Sequence, residues 1–248
     1  MKGQEMGRSH RLAGTVCAAC WMLFAITLVI LLTAGDGGYL GYQMLRHAPP
    51  EASRLPAEEY PGMGNMVAGY LTGRTERFQY EYPGASGEPV VCFHDYEEAH
   101  MADCRELIRL DRLAMQLSSA LLLVLTAACA PRRPTEFRRG MLRGLRILLA
   151  AAAVLAVWAV TDFDGFFVTF HKVAFTNDGW LLNPRTDMLI RLMPEEFFIS
   201  LGVRGAPWVL GALALLWIAA RWPDAGKWVR PGSFGKERNS GSTENHDV

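Results

Sequence analysis

The chain has 248 residues, half of them hydrophobic, and its 25 lysines and arginines are balanced by 25 aspartates and glutamates. A neutral chain lacks the basic stripe that nucleic-acid binding requires, so no nucleic-acid partner is expected. The apolar residues are bunched into long runs with the charges between them, which leaves no room for a large independent soluble domain.

A membrane-spanning helix needs roughly 20 mostly apolar residues. Residues 1–11 precede the first such run, which covers 12–34. Lys2, Arg8 and Arg11 lie ahead of it as in a secretory signal, but the apolar run is longer than a signal core, so an uncleaved anchor is expected. Cys17 and Cys20 form a C-x-x-C inside it without partners for zinc or redox chemistry, and they read as small packing residues. Residues 35–112 follow as an outer segment. Asp36-Gly37-Gly38 reads as a loop, and Pro49-Pro50 with Pro56 keeps the next stretch irregular. A short helix is predicted over Pro61–Tyr70, with Met63, Met66, Val67 and Tyr70 on one face. Phe78, Tyr80 and Tyr82 alternate with Gln79 and Glu81, Pro83 to Gly87 makes a turn, and Val90 to Phe93 follows. That is a hairpin pattern. From Glu97, Met101, Cys104, Ile108 and Leu110 recur near helical spacing and lead into the second span, 113–130.

A basic loop over 131–144 separates the second span from the third, 145–161. The third is the shortest, and the Phe163–Phe167 region is expected to extend it. The outer segment 162–196 is dense in aromatic and polar residues. Asn183-Pro184 resembles an N-cap followed by proline at the first helical position, with Asp187 in the first turn. Met193-Pro194-Glu195-Glu196 repeats the device before the fourth span, 197–220. A short helix is therefore predicted between the two starts. The tail over 221–248, rich in Gly, Ser, Asn and charge, is expected to be disordered.

Lysine and arginine set the orientation. Lys2, Arg8 and Arg11 precede span one. Arg132, Arg133, Arg138, Arg139, Arg143 and Arg146 crowd the loop between spans two and three, and Arg221, Lys227, Arg230, Lys236 and Arg238 follow span four. All three groups fall on one side, which makes both termini cytoplasmic and the segments 35–112 and 162–196 external. The fold class is an all-α membrane protein of four transmembrane helices with a small mixed extracytoplasmic cap.

His94, His100 and His171 lie outside close to the membrane; His10 and His246 are in the termini and His47 is in an irregular stretch. On a helix, Phe167 and Phe175 flank His171 on one face. Burial among aromatics favours the neutral imidazole, which can accept a proton. A core histidine bonded to backbone is the alternative. Glu97 and Cys104 fall beside His100 at helical spacing, and Glu97 could fix its tautomer. His94, Glu97, His100 and Cys104 could be written as a metal site, but the spacing matches no zinc pattern. Cys92 and Cys104 are both external, where a disulfide is chemically permitted. Arg204 interrupts the fourth apolar run. It either snorkels to headgroups or faces the bundle to hold a lipid phosphate or carbonyl oxygen, with Asp162 as a possible partner.

The run from Phe170 through Asn177, Asp178, Trp180, Asn183-Pro184-Arg185 and Asp187 to Ile190, followed by Met193-Pro194-Glu195-Glu196-Phe197-Phe198, resembles the signature of the bacterial lipoprotein intramolecular transacylases, called Lit. His100-Met101-Ala102-Asp103 resembles that family's second mark, a His-Met-x-Asp segment before the second span. The resemblance covers most of the chain from span one to span four. Ala174 and Gly179 stand where the family usually has bulkier residues, and Cys104 where it often has valine.

The resemblance implies transfer of the sn-2 acyl chain of a diacylglyceryl group to the α-amine of the N-terminal cysteine of a bacterial lipoprotein, giving a lyso-form lipoprotein. It implies a multi-pass protein of the bacterial cytoplasmic membrane with its site on the outer face. The partners are diacylglyceryl-modified lipoproteins and membrane lipids, and no cofactor or metal is called for. His171 is expected to be the general base and His100 the group that stabilises charge or returns the proton, with the reverse assignment open. Asn177 and Asp178 are expected to orient a histidine, Trp180 to sit at the interface, and Arg204 to contact substrate. If residues 97–130 formed one straight helix, His100 would stand about 20 Å beyond Leu113. A bend around Ile108 to Asp111, or a tilted segment, is therefore predicted. A non-catalytic membrane scaffold or transport accessory is the reading from a different class, and a metal-dependent lipid hydrolase is a third.

Overall fold

The computed structural model describes residues 2–84 and 86–221. The disorder expected of the tail falls, beyond Arg221, outside the described residues. In chain order the elements are α1 (Lys2–Ala34), α2 (Gly37–His47), α3 (Pro50–Ser53), a 3-10 turn (Ala57–Glu59), α4 (Tyr60–Thr72), β1 (Glu81–Pro83), β2 (Pro89–Val91), α5 (Asp95–Cys129), α6 (Pro134–Thr161), α7 (Phe163–Ala174), α8 (Met188–Leu192) and α9 (Glu195–Arg221). Four of these, α1, α5, α6 and α9, are long and apolar enough to cross a membrane.

The four long helices form a bundle in which α1 contacts α5, α6 and α9, and α6 contacts α9. Apolar association gives no drive between helices in lipid, so close backbone approach matters more. Gly14 and Gly140 supply it: a side chain on Gly14 would collide with the Phe137 carbonyl, and one on Gly140 with that of Arg11. Cys17, Ala18, Phe137, Met141, Leu145, Leu213 and Leu216 fill the seam. Cys17 and Cys20 are buried free thiols, in keeping with their reading as packing residues. Val154 and Trp208 are about 70% exposed, the surface that lipid rather than water covers.

The helix α6 corrects two expectations. It starts at Pro134, so the arginines from Arg138 to Arg146 stand on its first turns rather than in a loop. It also stops at Thr161: the Phe163–Phe167 region does not extend it, because the Asp162 carboxylate accepts from Gly165 N (3.0 Å) and starts α7.

The cap has its own core. Leu40 and Met44 of α2, Tyr60, Met63 and Val67 of α4, Phe78 and Phe93 beside the hairpin, Met101 of α5, Leu189 and Leu192 of α8, and Phe197 of α9 are buried together. The predicted helix near Pro61–Tyr70 is α4, and Met63, Val67 and Tyr70 face inward as expected. The predicted hairpin is present with Glu81 opposite Val91 and Tyr82 opposite Val90.

Two turn signals read differently in three dimensions. Asp36-Gly37-Gly38 is not a loop: Asp36 N-caps α2, accepting from Tyr39 N (3.0 Å). Gly37 and Gly41 lie so close to α4 that a side chain on Gly64 would strike them both. Asn183 does not start a helix. It accepts from Arg185 N (3.0 Å) in a local turn, and α8 begins only at Met188. Finally, α5 runs uninterrupted from Asp95 to Cys129, with no break between Ile108 and Asp111. At 1.5 Å per residue it is about 50 Å long, against a hydrocarbon core of about 30 Å.

Candidate active site

The start of α5 is defined by a capping box. The His94 side chain accepts a backbone N–H from the first turn, and His94 N donates to Glu97 Oε2 (2.9 Å). The other Glu97 oxygen accepts from Leu189 N (2.8 Å) at the start of α8. Glu97 is fully buried by these contacts and does not touch His100, so it is not the group that fixes that tautomer. His100 lies one turn further on and is 7% exposed.

The helix α7 brings the second histidine. Phe163 and Phe166 cluster with Trp158 at the end of α6, with ring centroids 5.4 Å apart for Trp158 and Phe166. That contact turns α7 so that His171, in its last turn, meets His100. The two imidazole centroids are 6.1 Å apart, and Phe175 lies against both, at 5.1 Å from His100 and 5.5 Å from His171. Phe167 (4.1 Å) and Trp180 (5.1 Å) complete an aromatic enclosure around His171.

Protonation follows from the neighbours. His171 Nδ1 lies 2.8 Å from the Phe167 carbonyl oxygen, which can only accept, so Nδ1 carries the hydrogen. In the neutral ring Nε2 is then a free lone pair. Burial holds the His171 pKa below its ordinary value. Burial first, and then the neighbouring His171, push His100 down to about 4. Both rings are therefore neutral at physiological pH. His100 Nε2 is 3.6 Å from Cys104 Sγ, and burial pushes that thiol up to about 12. The thiol keeps its hydrogen and can donate it to Nε2 or accept from it; donation leaves the imidazole hydrogen on Nδ1. That Nδ1 is buried with no hydrogen-bond partner among the described residues. One ring thus offers a proton acceptor and the other, in that tautomer, an unused donor.

The loop bearing Trp180 is stitched to α5. Asn177 Nδ2 donates to Asp103 Oδ2 (2.9 Å), and Tyr96 Oη donates to Asp187 Oδ1 (2.6 Å). Asp187 Oδ2 also accepts from Asn183 N (2.7 Å). Asn177 therefore orients Asp103, three residues from His100, rather than an imidazole. Asp178 is exposed and its carboxylate bonds to neither ring. Arg204 stands apart from the pair: its Nη2 donates to Asp36 Oδ2 (2.7 Å) and its Cζ lies 3.8 Å over Tyr39. Asp162 is not its partner, being occupied at the cap of α7. Arg204 Nη1 is buried without a hydrogen-bond partner among the described residues.

Cys92 and Cys104 are free thiols. Among the described residues no group of three or more His, Cys, Asp or Glu side chains is disposed to hold a metal ion. Sequence reasoning missed the roles of Asp103 and Tyr96. The only signal for Asp103 was its place in the His-Met-x-Asp segment; Tyr96 gave none.

A family model described as lipoprotein intramolecular transacylase Lit matches residues 15–198. The chain belongs to this family. The solved structures agree on the fold of this Lit family member. An in meso structure of the membrane integral lipoprotein intramolecular transacylase Lit from Bacillus cereus matches with TM-score 0.68 and 20% identity, over 87% of this chain and 95% of that one. A variant of the same protein with a histidine replaced by alanine matches with TM-score 0.70 and 19% identity, over 93% and 100% of the two chains. A histidine-to-arginine variant matches with TM-score 0.64 and 20% identity, over 88% and 92%. No curated protein matches the chain.

Proposed function

We propose that this protein moves the sn-2 acyl chain of a lipoprotein's diacylglyceryl group to the α-amine of the same molecule's N-terminal cysteine, using His171 as base and His100 as oxyanion donor. The observation that carries this reading is the facing pair of neutral imidazoles, one with a free Nε2 lone pair and one with an unpartnered Nδ1, which carries the hydrogen when the Cys104 thiol donates to Nε2. The amine nitrogen attacks the sn-2 ester carbonyl while His171 Nε2 takes its proton. His100 Nδ1–H donates to the oxyanion of the tetrahedral intermediate. The C–O bond to the glycerol then breaks, and the proton passes to the leaving sn-2 oxygen. An amide and a free hydroxyl result, with no outside donor. Nucleophile and electrophile belong to one molecule, so an acyl-enzyme is unnecessary and proximity supplies much of the acceleration.

The surroundings suit a lipid ester. Phe170, Val173 and Leu181 are exposed around the pair, an apolar rim that a bilayer surface would cover. That rim would put the site at headgroup level, with α5 tilted rather than bent. Arg204, with its free Nη1, is assigned to a substrate oxygen or phosphate. The three cytoplasmic clusters of arginine and lysine orient both termini inward and the site outward, in the bacterial cytoplasmic membrane. The test uses purified full-length protein and a synthetic diacylated lipopeptide in detergent, read by mass spectrometry. N-acylated lyso product should form and a chelator should not prevent it. An N-acetylated lipopeptide should not react, since its nitrogen has no nucleophilic lone pair. A requirement for added phospholipid as acyl donor would overturn the intramolecular reading.

A further inference from the structure

Three arginines stand on α5 between the histidine pair and the start of the span. Arg105, Arg109 and Arg112 are spaced four and three residues apart, which places them on one helix face. Together with Glu106 and with Thr72 and Gly73 at the end of α4, they line a cavity of 260 Å³. Arg109 lies about 180° around the helix from His100 at 3.6 residues per turn. The cavity is therefore separate from the acyl-transfer site, and nothing in that chemistry uses it.

The guanidiniums are held in place without being used up. Arg112 Nη2 donates to the Thr72 carbonyl (3.1 Å), covering the negative end of α4. Arg105 donates to the Glu76 carbonyl (3.4 Å) and lies over the Tyr70 ring (4.9 Å). Arg109 clamps Glu106 through Nε (2.7 Å) and Nη2 (2.6 Å). Each guanidinium has five N–H donors, so these contacts leave donors on all three. Three positive groups against one carboxylate leave the groove positive.

Its level relative to the bilayer identifies what it faces. Leu110, Leu113 and Leu117 are exposed on the neighbouring face, so the hydrocarbon boundary runs beside these arginines. These arginines stand at the end of the span opposite the positive clusters at residues 2–11, 132–146 and 221–238. Guanidinium forks match phosphate oxygens in pairs. We propose that the groove between α5 and the end of α4 binds the phosphate of an anionic phospholipid headgroup through Arg105, Arg109 and Arg112. The inference rests on the boundary at Leu113 and does not depend on the acyl-transfer reading.

The test is native mass spectrometry of the full-length protein with equimolar phosphatidylglycerol and phosphatidylcholine. The wild type should retain phosphatidylglycerol preferentially. The preference should fall about fivefold per arginine removed, and roughly a hundredfold in R105Q/R109Q/R112Q. Should the triple variant fail to fold, Arg112→Gln alone and Arg109→Lys, which keeps charge but loses the fork, give the same reading in smaller steps. Equal retention of the two lipids by the wild type would overturn the proposal, as would an unchanged preference in the variants. Displacement of the lipid by millimolar inorganic phosphate would overturn it too, by making the groove a free-anion site. Lipopeptide turnover in neutral detergent should be unaffected by the substitutions. A loss matching that of His171→Ala would refute a separate site.

Discussion

Replacing each histidine separately, and then both together, tests the division of labour between them. His171→Ala removes the proton acceptor, and loss of a positioned base costs about 10²–10⁴ in rate. His100→Ala removes a single donor to the oxyanion, and such a donor is worth about 10²–10³. The rings are 6.1 Å apart and would serve one transition state, so the double variant should lose less than the product of the two single losses. Asparagine separates the roles. In His100→Asn the side-chain amide can still donate to an oxyanion and should recover about tenfold over alanine. In His171→Asn the amide cannot take a proton, so no recovery is expected. The assay is conversion of a diacylated lipopeptide to its N-acyl lyso product, followed by mass spectrometry, with size-exclusion profiles showing that each variant is folded. Asparagine rescue at position 171 but not at 100 would reverse the assignment. Alanine variants that both stay within about threefold of wild type would refute catalysis by this pair altogether.

Three further outcomes follow from the same geometry. Both histidines have folded pKa values below their ordinary 6.5, His100 at about 4, so the unfolded chain binds more protons in that interval. Stability from their burial should be complete above pH 6.5 and lost progressively as pH falls toward 4, as read by thermal unfolding; stability that rises on acidification across this window would contradict the buried neutral pair. Cysteines introduced at the exposed positions Glu58 and Asp178 should label from outside and one at Thr135 only from inside, whereas Tyr60 is too buried to report; external labelling at 135 would sink the topology. Arg204→Ala should raise KM for the lipopeptide by about tenfold, the worth of a hydrogen bond to a charged group. Asp36→Asn should not, because it removes only the anchoring partner, and equal effects would reduce Arg204 to a structural role.

The spans, the cap and the histidines were legible before any coordinates because each rests on local chemistry. Twenty apolar residues cannot be accommodated in water, and arginine clusters bias orientation wherever the helices pack. The alternation at Phe78, Tyr80 and Tyr82 and the aromatic spacing around His171 each describe a single element. What local pattern could not decide was which of two partners a polar group would take. Asp36 and its glycines read as a loop because glycine breaks isolated helices; α4 lies close enough to Gly37 that only glycine fits at that position, and a helix results. Asn183 and Asp187 read as a helix start, but their side chains are spent on a turn and on Tyr96, so α8 begins later. Glu97 stood at the right spacing for His100 and went instead to Leu189, 92 residues away. Arg204 paired with Asp36 across 168 residues rather than with Asp162. Each of these choices is set by long-range approach of backbone and charge, which only the tertiary structure contains, whereas burial by periodicity and insertion by hydrophobicity were already written in the chain.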